Sequence, residues 1–173
     1  MDRLDARNQP PPDLTDCCGK AEALPPASAL RNEPLHRLFK SVGQAFRQQI
    51  LQQMRAEGIT EVFPGAVPLI LHLGDEDGLT MSELARRCGL ESSTLTPLMD
   101  ELERYGLAAR ARDPDDRRVV RLYLTESGRT LEPRLRGLLM RLQEVALIGV
   151  SEEELATLHQ VLERMAANLN NLG

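Results

Sequence analysis

Five arginines (Arg110, Arg112, Arg117, Arg118 and Arg121) and three aspartates (Asp113, Asp115 and Asp116) fall within the twelve residues 110–121. Guanidinium groups on a short polar turn suit contact with nucleic acid. Arg117, at the turn itself, is placed to enter a minor groove, whose narrow A·T stretches attract guanidinium. Arg118 is assigned to phosphate contact or to structure, and Arg112 joins the DNA-binding set. Asp113 and Asp116 are expected to hold arginines through charge-assisted bonds. The plain alternative is a solvated hairpin of mixed charge, since exposed ion pairs contribute little. A second set, Ser92, Ser93, Thr94 and Thr96, offers hydroxyls that can meet phosphates or base edges. One of those serines reads more simply as a helix cap. Pro97 falls near the fourth or fifth helical position, where the missing N–H costs up to about 3 kcal/mol. Such a local violation is expected where function constrains a surface.

No nucleophile–base spacing, phosphate loop or metal box occurs, so neither an enzyme nor a cofactor or metal site is expected. The three cysteines include the adjacent pair Cys17 and Cys18, which forms neither a disulfide framework nor a zinc motif and suits a reducing cytoplasm. The longest apolar run, Ala66 to Leu73, contains Pro68 and His72 and is far below the roughly 20 residues a bilayer crossing needs. No secretory signal is visible at the N-terminus. The net charge of −5 conceals an uneven distribution: residues 81–136 carry eleven arginines against ten carboxylates, so the deficit lies elsewhere. A locally basic feature on an acidic body fits DNA binding and weakens only the case for a broad nonspecific patch.

These residues need elements to position them. Residues 1–33, rich in proline and without apolar periodicity, read as a disordered or weakly ordered tail. From Pro34, the row Leu35, Leu38, Phe39, Val42, Phe46, Ile50 and Met54 predicts a long helix ending at Gly58. A shorter apolar helix follows from Pro64 to Gly74, and Asp75-Glu76-Asp77-Gly78 breaks the chain. Thr80 to Gly89 is a short helix opened by a Thr80–Glu83 capping box. Ser92 or Ser93 caps the next helix, which runs to Tyr105 and stops at Gly106. Two short helices across a tight turn make a helix-turn-helix candidate. Strands are expected at Leu107 to Arg112 and Val119 to Leu124, around the polar turn. Thr125 opens a long helix, and a Ser151–Glu154 capping box opens the last one. The apolar faces of residues 34–55 and 130–172 exceed what one small lobe can cover, which implies a twofold homodimer. Such a dimer would set two recognition helices in successive major grooves of a palindromic site on double-stranded DNA.

Leu84-Ala85 through Leu90, Ser93-Thr94-Leu95-Thr96-Pro97-Leu98, Leu102-Glu103, Gly106-Leu107, Arg110, Asp113-Pro114-Asp115-Asp116-Arg117-Arg118 and Leu124-Thr125-Glu126-Ser127-Gly128 resemble the multiple-antibiotic-resistance-regulator (MarR) family over about residues 34–170. The resemblance implies a dimeric winged-helix transcription factor, usually a repressor, released from DNA by a small effector or by cysteine oxidation. The motif around Pro97 is most similar to the hydroperoxide-sensing branch. That branch carries its reactive cysteine near the start of the first long helix, where this chain has Leu35-His36-Arg37. Cys88 reads as a small buried residue. Ligand control is therefore the favoured expectation, with a small aromatic carboxylate as effector, since resembling regulators bind such acids between the dimerisation helices and the winged lobe. His36, Phe39 and Lys40 on the first helix and His72 on the second are the candidate pocket residues. His159 is assigned to surface or dimer interface.

The expected fold class is mainly α with a small β-hairpin, a winged helix-turn-helix between long N- and C-terminal dimerisation helices. These helices occupy about 34–58 and 126–172, and the DNA-binding lobe about 64–125. A thiol-oxidation sensor of the same fold, or a winged-helix protein-interaction module that never meets DNA, are the alternatives.

Overall fold

Apolar spacing and helix-stopping glycines set the order of elements in the computed structural model, which describes residues 34–171. The expected tail over 1–33, with Cys17 and Cys18, lies outside the described residues. The described chain separates into a main unit, His36–Ile148, and a second that begins at Gly149 and holds the last helix.

Helix α1 spans Leu35–Ala56. Its apolar row is exposed at Leu35, Leu38, Phe39 and Val42, half-buried at Phe46 and Ile50, and buried at Met54. Gly58, at φ +68°, reverses the chain so that Ile59 N–H reaches the Met54 carbonyl at 2.8 Å. The single apolar helix expected over Pro64 to Gly74 is instead a 3-10 turn, Pro64–Ala66, followed by α2, Val67–Asp75. Pro68 has no N–H to offer the Pro64 carbonyl, so the α-helical ladder starts only beyond it. In α2, Val67, Leu69, Ile70 and Leu73 are all buried and form the centre of the core.

The next segment folds as β1 (Leu79–Thr80), α3 (Met81–Cys88), α4 (Ser92–Arg104), β2 (Ala108–Arg112) and β3 (Val120–Leu124). The expected two-stranded hairpin is the larger part of a three-stranded antiparallel sheet of order β1-β3-β2. Gly78, at φ +76°, turns the chain so that its N–H donates to the Leu122 carbonyl at 2.9 Å and Leu79 pairs with Leu122. Two residues are too few to show alternation in a sequence. Along the hairpin, Ala108 pairs with Leu124 and Arg112 with Val120.

Helix α5, Glu126–Ala146, is capped by Thr125, whose hydroxyl accepts from Gly128 N–H at 3.1 Å. The same hydroxyl donates to the Gly106 carbonyl at 2.6 Å, and Thr125 N–H donates to the Leu107 carbonyl at 3.1 Å. A Cβ on Gly128 would lie 2.0 Å from that Leu107 oxygen. The Leu-Thr-x-x-Gly motif thus joins the end of α4 to the start of α5 with no slack. In the second unit, α6 (Glu152–Asn170) begins with the expected Ser151–Glu154 capping box and leaves Leu158, Val161, Leu162 and Leu169 exposed. No described helix is long and apolar enough to cross a membrane.

Candidate nucleic-acid interface

Helix α3 is held at its start by the reciprocal bonds between Thr80 and Glu83, which keep the Glu83 carboxyl below its ordinary value. Gly89, at φ +62°, ends it, and Leu90 N–H bonds the Ala85 carbonyl at 2.9 Å. The chain then enters α4 through Glu91, not through a serine. Glu91 is extended, and its carbonyl accepts from Thr94 and Leu95 N–H at 2.9 and 3.0 Å. Ser92 and Ser93 therefore occupy the first two helical positions, and no side chain caps the helix. This corrects the expected serine cap.

Leu95, Met99 and Leu102 bury one side of α4, and Ser93, Pro97, Asp100 and Arg104 line the opposite, exposed side at i, i+4, i+7 and i+11. Ser92, Thr94 and Thr96 are exposed beside them. Thr96 Oγ1 donates to the Ser92 carbonyl at 2.9 Å, which leaves the threonine methyl on the surface. Pro97 is the sixth residue of a helix that continues unbroken, one or two positions deeper than the sequence suggested. Asp100 and Arg104 were missed by sequence reasoning; projecting the buried Leu95–Met99–Leu102 row through the helix axis would have found them.

The wing places its arginines in two different states. Asp113 is buried, accepts from Asp115 and Asp116 N–H at 2.8 and 3.2 Å, and pairs with Arg121. The Arg121 guanidinium, then those two backbone donors, hold the Asp113 carboxyl below its ordinary value of 3.8. Arg121 also donates to the Gly78 carbonyl at 2.8 Å, tying β3 to the turn that leads into β1. Arg110 pairs with Asp100 of α4 at 2.8 Å and with Glu103, locking the wing to the helix. Arg118 is paired with Asp116 at 3.2 Å. Arg112 and Arg117 are exposed and, among the described residues, form no ion pair. They are the hairpin cations left available to a polyanion.

Behind this surface, the acidic run that broke the chain in the sequence acts as a clasp. Asp75 bonds Arg136 of α5 at 2.7 Å, Glu76 bonds Arg87 of α3, and Asp77 bonds Arg129 of α5. Arg136 bonds Glu132 as well, at 2.6 Å. Three successive carboxylates thus attach α3 and α5 to the end of α2 and the turn beyond it.

The four effector candidates are not gathered in one place. His36, Phe39 and Lys40 share an exposed face near the start of α1, and His72 is half-buried on α2. A cleft of about 170 Å³ between α1 and α5, lined by Phe46, Gln49, Leu142 and Val145 among others, includes none of them. A more polar cleft of about 490 Å³, with Tyr105, Glu126, Thr130 and Arg134 in its wall, includes none either. Cys88 packs against the core, and burial pushes its thiol above the ordinary 9.0. At neutral pH it is a thiol, not the reactive thiolate.

Comparison with known proteins agrees with this architecture. The MarR family model matches residues 68–120, the segment from α2 to the start of β3. The helix-turn-helix transcriptional regulator YdgJ of Bacillus subtilis is 29% identical over 119 residues, which is 69% of this chain and 73% of that protein. The transcriptional regulator SarZ of Staphylococcus haemolyticus is 32% identical over 100 residues, 58% of this chain and 67% of its own. Among solved structures, the PcaV transcriptional regulator of Streptomyces coelicolor, in complex with its natural ligand, superposes with a TM-score of 0.67 at 27% identity, covering 84% of this chain and 97% of that one. An exposed helix α4 backed by α3, a hairpin with two arginines that form no ion pair among the described residues, and relatives of this kind converge: the chain belongs to the MarR family of DNA-binding transcriptional regulators.

Proposed function

We propose that this regulator is a homodimeric repressor that holds a palindromic operator and leaves it when a small aromatic carboxylate binds. The observation that carries the DNA half is the exposed α4 row, joined to the hairpin by the Arg110–Asp100 pair, together with the exposed hairpin cations Arg112 and Arg117. Helix α4 enters the major groove while Arg117 enters the adjacent minor groove. Ser92, Ser93, Thr94, Thr96 and Pro97 lie on the groove side of α4, and Arg118, steadied by Asp116, contacts phosphate. Apolar rows exposed on α1 and α6 supply faces for a second copy.

The release half rests on two supports. PcaV, a relative in fold, was solved with its natural ligand. His36, Phe39 and Lys40 set a donor, a ring and a cation on one helix face, the complement of an aromatic acid. The half-buried thiol of Cys88, raised above its ordinary value by burial, argues against oxidation at that residue as the trigger.

The test is direct. Full-length protein is used to select duplexes from a random pool, and the selected duplex is titrated with and without benzoate and the hydroxybenzoates. The proposal expects weaker DNA binding and a raised Tm with at least one acid. It also expects release to survive replacement of all three cysteines by serine. Release by peroxide alone, reversed by a thiol reductant, would overturn it.

A further inference from the structure

Pro97 is hard to explain by folding. It lies inside a thirteen-residue helix, beyond the first turn where proline is tolerated, and removes the N–H that would bond the Ser93 carbonyl. The helix does not end there, and the ring is exposed on the side opposite Leu95, Met99 and Leu102. It fills no core space. A helix-breaking residue kept on a surface that packs against nothing points to what that surface meets.

The chemistry of the patch narrows the partner. A proline ring has no donor or acceptor. Its neighbour Thr96 has spent its hydroxyl on the Ser92 carbonyl and shows a methyl. Serine hydroxyls lie one turn before, and the Asp100 carboxylate, drawn towards Arg110, lies one turn beyond. The middle of the exposed face is thus apolar between polar ends. On the major-groove edges of DNA, the only apolar group is the 5-methyl of thymine. We propose that Pro97, assisted by the Thr96 methyl, is a specificity-determining residue that reads a thymine methyl in each half-site. This rests on α4 entering the major groove, and the test separates the two ideas.

A duplex selected by the full-length protein from a random pool is resynthesised with deoxyuridine in place of thymine, one position at a time. The exchange removes a methyl and leaves every hydrogen-bonding group in place. Wild-type protein should lose about threefold to fourfold in affinity at a defined thymine of each half-site, the value of one buried methyl. Pro97→Ser should bind thymine and uracil duplexes alike at that position, while its Tm rises by several degrees because a helix bond is restored. Pro97→Val restores the same N–H but keeps an apolar surface, so it should retain the thymine preference. If wild-type protein shows no thymine-sensitive position, or if Pro97→Ser keeps the full preference, the proposal fails although DNA binding by α4 stands. Pro97→Val behaving like Pro97→Ser would assign the effect to the broken helix and overturn the methyl contact. Failure of wild-type protein to retain any duplex would sink both.

Discussion

Arg117 and Arg118 are adjacent, yet what holds them differs. Arg118 is steadied by Asp116, while Arg117 stands exposed without an ion pair among the described residues. Arg117→Ala takes nothing from the core, so stability should stay within about 0.5 kcal/mol of wild type. DNA affinity should fall by about 1–3 kcal/mol per wing contact, and the salt dependence should flatten. Titrating a selected duplex at several salt concentrations measures both; unchanged affinity would remove the wing from the interface. Asp113 gives a second prediction at this scale. Its folded carboxyl is held below the unfolded value, so its contribution is complete above about pH 4 and is lost as pH falls through the lowered value. Wild type should therefore lose wing order on acidification, followed by fluorescence of Tyr123, which packs over Gly78. Asp113→Asn should start less stable and lack this acid step. Sequence reading saw that Asp113 would hold an arginine but not which one. The partner, Arg121, is eight residues away and comes within reach only once the Arg112–Val120 register is fixed.

At the level of elements, local signals were legible and pairings across the chain were not. Capping boxes at Thr80–Glu83 and Ser151–Glu154, and the glycine stops at Gly89 and Gly106, act over three or four residues and could be read directly. Strand β1 escaped because its only evidence is its partner, β3. The Asp75–Asp77 run looked like a mere chain break because its arginines lie on α3 and α5. The cap lies one or two residues before the expected Ser92 or Ser93 because Glu91, a poor cap by side chain, serves through its backbone. The joint between α4 and α5 yields the sharpest test. Gly128→Ala must drive a methyl against the Leu107 carbonyl, a backbone group with little freedom to retreat. It should cost about 1–3 kcal/mol in denaturant melts. DNA affinity should drop further than the stability loss requires, because the end of α4 shifts with the strand. Thr80→Ala should cost about 1 kcal/mol through loss of the cap, with a smaller effect on DNA.

Across the whole molecule, the exposed apolar rows ask for a partner. Leu158 and Leu162 on α6 are 48% and 38% exposed, too much leucine surface to leave in water without reason. Leu158→Glu with Leu162→Glu should yield monomers in sedimentation and lose DNA binding. A stable wild-type monomer at micromolar concentration would contradict the dimer. The pairing of arginines with carboxylates also bears on how such a protein finds its site. In the main unit Arg87, Arg104, Arg110, Arg118, Arg121 and Arg129 each face an acid, and the chain as a whole is negative. With few cations beyond Arg112 and Arg117 left to displace condensed ions, its hold on random sequence should be weak. The expected search mode is repeated encounter from solution, with brief visits and little sliding. Its association rate should be nearly the same for a short operator duplex as for the same operator embedded in kilobases of flanking DNA.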